Sequence, residues 1–118
     1  MTRDEAMERI DALASHVWMV RAFLKHSDEA TEEESLQEVH RELYDFMLAL
    51  GPAYTEKNAT AYLKMAAKKL ARLRRAADQF AQIQPQISTH TNFQMAARSL
   101  TTAVAAIGRA LEEVRHLD

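Results

Sequence analysis

The chain has 118 residues, a net charge of −2 and no cysteine; 47% of its residues are apolar and 27% are charged. A chain of this size forms one domain, residues 1–118, around a single core, and without cysteine it has no disulfide framework, thiolate nucleophile or Cys-bound zinc. The charge gives no overall pull toward nucleic acid, no run approaches the roughly 20 apolar residues of a bilayer span, and the start "MTRDEAMERI" lacks the apolar centre of a secretory leader, so a cytoplasmic setting with no membrane partner is expected.

Two glycines and two prolines leave long stretches unpunctuated, which favours helices over many short strands. The first helix is expected to start at "TRDE", where Thr2 and Glu5 have the spacing of a capping box. Its apolar seam reads Ala6, Ile10, Leu13, Val17, Val20 and Leu24, in steps of three and four. "SDEA" is expected to end it. Thr31 and Glu34 in "TEEE" form a second box, opening a helix with the seam Leu36, Val39, Leu43, Phe46 and Leu50. Gly51 and Pro52 are expected to stop that helix. A third helix is expected from about Thr55 to Gln84, with the seam Ala59, Leu63, Ala66, Leu70, Leu73, Ala77 and Phe80. Thr91 and Gln94 in "TNFQ" form a third box. The last helix continues through Phe93, Ala97, Leu100, Val104, Ile107, Leu111 and Val114. Short connections between amphipathic helices favour antiparallel neighbours, so the expected fold is all-α, an antiparallel up-down-up-down four-helix bundle.

A helical bundle can host a di-iron site, but that needs two Glu-x-x-His pairs facing inward. This chain has one, Glu113 to His116, pointing away from the seam. No His-x-x-x-His, His-Glu-x-x-His or haem-attachment motif occurs, and neither a metal nor another cofactor is expected. Among the histidines, His26 reads as solvated and His90 as a neighbour of a helix start. His16 and His40 flank their seams and are expected near the level of Glu42. A His, His, Glu group has the donors for a divalent metal, yet a half-buried polar layer with ordinary hydrogen-bond partners is the expectation.

Glu29 and Glu32 in "EATE", with Glu42 and Asp45 in "ELYD", loosely resemble the Glu-x-x-Glu and Glu-x-x-Asp pairs of all-α nucleotide pyrophosphohydrolases. That resemblance implies a carboxylate-held magnesium ion and hydrolysis of a nucleotide. The first pair falls in a connection, and the lysine-containing part of that pattern is missing. Neither His16 nor His40 is followed by the Lys and Gly of a histidine phosphotransfer domain. Gly51 and Gly108 are too far apart for a glycine-rich phosphate loop, and no Ser or Thr lies in a nucleophile motif. An enzyme is therefore not the expectation.

Residues 28–45 are strongly acidic, whereas 57–75 carry Lys57, Lys64, Lys68, Lys69, Arg72, Arg74 and Arg75 with no acid. Lys57, Lys64, Lys68, Arg72 and Arg75 line one stripe opposite the seam. A basic stripe can meet phosphates, but no aromatic residue interleaves with it, so a solvated face is expected and nucleic acid is not. Arg74 departs from the stripe and is expected to pair with Glu33 or Glu34.

In "HVWMVRAFLKH", residues 16–26, Trp18, Met19, Ala22 and Phe23 carry the apolar surface beyond the seam. A helix buried in one bundle should be polar on its outer side, and exposed apolar patches mark contacts. The expectation is a homodimer joined through this helix, a small interaction or structural protein that can also meet another protein partner. The alternatives are a carboxylate-based, metal-dependent nucleotide hydrolase and a nucleic-acid-associated bundle using the basic stripe.

Overall fold

The computed structural model describes residues 1–117, and among them the chain is all-helical with no strand. The helices are α1 (Arg3–Lys25), α2 (Asp28–Glu32), α3 (Glu34–Thr55), α4 (Ala59–Ile87) and α5 (Thr91–Val114), followed by a 3-10 turn at Arg115–Leu117. There are thus five α-helices where four were expected, because "DEATE" coils into a turn of its own. No helix is long and apolar enough to cross a membrane among the described residues.

α1 lies between α3 and α5, α4 lies between the same two helices, and α1 touches α4 across the middle. The molecule is 43 Å long, which is the length of α4 alone at about 1.5 Å per residue. The core runs through all four long helices, with Ile10, Val17, Leu36, Leu43, Tyr62, Phe80, Leu100 and Ile107 buried. Arg3 donates to the carbonyl of Leu117, tying the start of α1 to the turn after α5.

The caps differ from the sequence pattern in instructive ways. Thr2 and Glu5 do form a capping box. Thr31 lies inside α2 and caps nothing; Ser27 caps α2, and α3 starts at Glu33 without a side-chain cap. Gln37 instead donates to the carbonyls of Ala30 and Thr31, closing the end of α2. Thr91 likewise opens no box, since His90 Nδ1 accepts from the Asn92 N–H and Gln94 donates to the Thr89 carbonyl.

Gly51 and Pro52 do not stop α3, which continues to Thr55. The hydrogen bond that a proline at 52 cannot donate would go to the carbonyl of Leu48. Leu48, Gly51 and Pro52 are all exposed, so the proline falls on the solvent side of α3, where an unpaired carbonyl costs least. Pro85 is accommodated inside α4 on an exposed position in the same manner. α3 actually ends where Lys57 takes the left-handed conformation, φ 54°, and the Asn58 N–H closes onto the Ala53 carbonyl. Asn58 then caps α4.

The buried face of α4 keeps Ala59, Ala66, Leu73, Ala77 and Phe80 of the expected seam. It widens to include Tyr62, Ala76 and Gln84, while Leu63 and Leu70 are only half-buried. Arg74 does not turn to α3. Its guanidinium lies over Gly108 of α5, and it forms no ion pair with Glu33 or Glu34 among the described residues.

Candidate functional site

Two polar clusters form along α1, one near each end. Near its start, Glu8 and Asp11 sit one turn apart and face the ends of α3 and α4. Tyr54 donates to Glu8 (2.9 Å), Lys57 pairs with the same carboxylate (3.3 Å), and the Lys57 ammonium stands 3.6 Å from the Tyr54 ring centre. The hydroxyl of buried Tyr62 donates to Asp11 (3.1 Å). Burial raises the Asp11 carboxyl above its ordinary range although the Tyr62 bond opposes it. Burial, then the Asp11 charge, pushes the Tyr62 phenol far up. The Tyr54 hydrogen bond, then Lys57, holds Glu8 low. Each of these polar side chains has a partner.

The second cluster is built around Arg21. It sits in the apolar run "VWMVRAFL" and is 8% exposed. Its guanidinium carbon is 4.0 Å from the Trp18 ring centre and 5.5 Å from that of Tyr44. The two rings are 6.4 Å apart and tilted by 38°. The i,i+3 spacing brings Trp18 under Arg21 on α1, while His40 and Tyr44, one turn apart on α3, face them. Nη1 of Arg21 approaches His40 Nε2 at 3.4 Å. A guanidinium only donates, so His40 accepts through Nε2 and keeps its proton on Nδ1. Burial, then the cations Arg21, Lys25 and Arg41, holds His40 below its ordinary range. Nε of Arg21 is buried with no hydrogen-bond partner, and among the described residues no carboxylate pairs with this cation. Beside His40 opens a cleft of about 290 Å³ lined by Lys25, Thr31, Gln37, His40 and Arg41.

The other predicted site residues are dispersed. His16 bonds Ser99 on α5 (2.9 Å), His40 meets Arg21, and Glu42 faces Arg72 at 3.9 Å, so these three do not converge. No group of three His, Asp or Glu side chains among the described residues could hold a metal ion. Glu113 faces Arg9 at 3.8 Å. Within the basic stripe, Lys57 belongs to the first cluster and Lys68 is exposed. Lys64 edges an apolar groove of about 520 Å³ between α4 and α5. Arg72 and Arg75 join Glu38, Arg41 and Glu42 around a groove of about 340 Å³. Of the apolar contact candidates, Trp18 (43%) and Met19 (64%) are exposed and Ala22 is half-buried. Phe23 turns inward, edge-on to Phe93 at 4.9 Å. Arg21 and Tyr44 were not singled out by motif; the available signal was a lone arginine amid apolar residues.

The sequence model of the cobalamin adenosyltransferase family matches residues 2–114. The chain belongs to this family. No curated protein and no solved structure is similar enough to match. Membership in the cobalamin adenosyltransferase family overturns the expectation of a non-enzymatic interaction or structural protein of unknown function, because this is a family of transferases. The hydrolase and nucleic-acid alternatives fall with it. The error has a physical source. Motif reading finds chemistry carried by residues close in the chain, and the polar clusters here form only when α1 meets α3 and α4.

Proposed function

We propose that this chain transfers an adenosyl group to cobalamin. The observation that carries the reading is the family match across nearly the whole chain. Such a transfer joins the 5′ carbon of an adenosine donor to cobalt. The cobalt of reduced cobalamin brings the electron pair for the new bond, and the group displaced from the 5′ carbon departs with the pair of the broken one. When that group is a polyphosphate it leaves as an anion, and cationic side chains lower the barrier by meeting it. Gly51 and Gly108 both lie inside helices, so this chain meets an anion with side chains and not with a glycine-rich loop. The test mixes the full chain with chemically reduced cobalt(I) cobalamin and adenosine triphosphate. Adenosylcobalamin, followed by absorbance, is expected to form only with protein. A folded, helical protein that gives no product above the protein-free rate would overturn the reading.

The same reading treats the fold as an up-down-up-down four-helix bundle with α2 added in the first connection, working in the cytoplasm as a homodimer. The His16–Ser99 and Phe23–Phe93 contacts mark the flank shared by α1 and α5. By helical spacing Met19 and Met95, 64% and 49% exposed, lie between those contacts, and a contact there would cover both. Light scattering is expected to give twice the chain mass, with Met19→Glu shifting it to one. A monomeric wild type would remove the dimer.

A further inference from the structure

We propose that Arg21, packed against the rings of Trp18 and Tyr44 and edged by His40, anchors a site for a phosphate group. A guanidinium that is 8% exposed has lost most of its water, and burying a cation costs free energy unless an anion or hydrogen bonds compensate. Here the aromatic faces compensate in part. Among the described residues the one hydrogen-bond acceptor is a neutral imidazole at the long distance of 3.4 Å, and Nε has none. Arginine's planar fork matches the oxygens of a phosphate.

The surroundings favour phosphate over a singly charged carboxylate. Three cations, Arg21 and Lys25 on α1 and Arg41 on α3, bear on His40, and a phosphate presents more oxygens to them than one carboxylate does. The adjoining cleft offers Lys25 and Arg41 as further donors and Thr31 as a hydroxyl. Trp18, at the edge of the cluster, is 43% exposed. The proposal rests on the adenosyl-transfer reading only for the source of the phosphate, which is either the polyphosphate tail of a nucleotide donor or free inorganic polyphosphate.

Trp18 is the only tryptophan and lies 4.0 Å from the Arg21 guanidinium, so its fluorescence reads the site directly. The full chain is titrated with inorganic tripolyphosphate, with adenosine triphosphate and with sodium chloride at matched ionic strength. A saturable fluorescence change with tripolyphosphate is expected, at least about tenfold weaker in Arg21→Gln, the effect of losing a charge-assisted hydrogen bond. Arg21→Lys is expected to fall between, with circular dichroism unchanged in both. Competition by adenosine triphosphate, together with a raised KM for it in Arg21→Gln, assigns the nucleotide tail. Binding of tripolyphosphate alone assigns the free anion. A response equal to that of sodium chloride, or equal binding by Arg21→Gln, overturns the site. Adenosyl transfer is assayed in parallel. Saturable phosphate binding without transfer overturns the functional reading and leaves the site standing. Transfer with Arg21-independent binding does the reverse.

Discussion

The two polar clusters on α1 are built from similar parts and end in opposite electrostatic states. At the start of α1, tyrosine hydroxyls and a lysine meet carboxylates, and Glu8, Asp11, Tyr54, Lys57 and Tyr62 all have partners. Near its end, tyrosine, tryptophan and histidine surround an arginine with which no carboxylate pairs among the described residues. A satisfied cluster joins helices and can do so without any ligand. A cation left without its counter-charge contributes little to stability, and its position is better explained by something it binds. The difference separates a group that holds the bundle together from one available for chemistry.

Substitutions can break that comparison. The largest effect is expected at Tyr62, fully buried between α1 and α4. Tyr62→Ala should lose about 3–5 kcal/mol of unfolding free energy, the usual cost of truncating a large core aromatic, as measured by chemical denaturation. Tyr62→Phe keeps the ring and removes only the bond to Asp11; a loss of about 1–2 kcal/mol is expected. Arg21→Met should behave differently. Loss of the contact with Trp18 opposes relief of an unpaired, desolvated cation, and stability should stay within about 1 kcal/mol of wild type or rise. If Arg21→Met destabilised the protein as much as Tyr62→Ala, both clusters would be structural and the contrast would be gone.

The smallest expected effect is a pH dependence of opposite sign in the two clusters. His40 has a lowered pKa in the folded state, owing to burial and then to Arg21, Lys25 and Arg41. The unfolded chain therefore binds the proton more readily, and stability should fall as pH drops below about 6.5 toward the folded-state value. His40→Gln should flatten that slope. Asp11 has a raised pKa because it is partly buried. Its contribution is fully present below the unfolded value of about 3.9 and is lost as pH rises through the folded one. Asp11→Asn, which keeps an acceptor for Tyr62, should remove that loss. Denaturation midpoints measured from pH 3 to pH 8 (about the range in which both groups titrate) separate the two slopes.

Much of the helical layout was legible from residues near one another in the chain. The Thr2–Glu5 box is such a feature, as are the buried positions Val17, Leu36, Phe46, Leu100 and Ile107. The expected stop at Gly51–Pro52 differs because the cost of a proline depends on whether the carbonyl it leaves unpaired is exposed, and the expected start at Thr31 differs because Ser27 already caps α2 and places Thr31 inside it. The polar sites were less legible. His40 was singled out, but for Glu42 and His16, whereas its observed partner is Arg21. The apolar stretch from His16 to His26 was singled out for its surface, but its arginine was passed over.

By itself the sequence determined that the chain is helical, which faces of α1, α3 and α5 are apolar, and that cysteine chemistry and a glycine-rich phosphate loop are absent. Its similarity across residues 2–114 determined the family, a whole-chain property that no short motif carries. Only the tertiary structure decided that Tyr62 would reach Asp11, that Arg74 would turn to Gly108, and that Arg21 would lie against Trp18 and Tyr44. The physical reason is rotation. Helix formation and capping depend on a few successive residues, but each residue turns a helix by about 100°. Which side chains meet across two helices therefore depends on how each helix is rotated about its own axis, and the packing of the whole core sets that rotation.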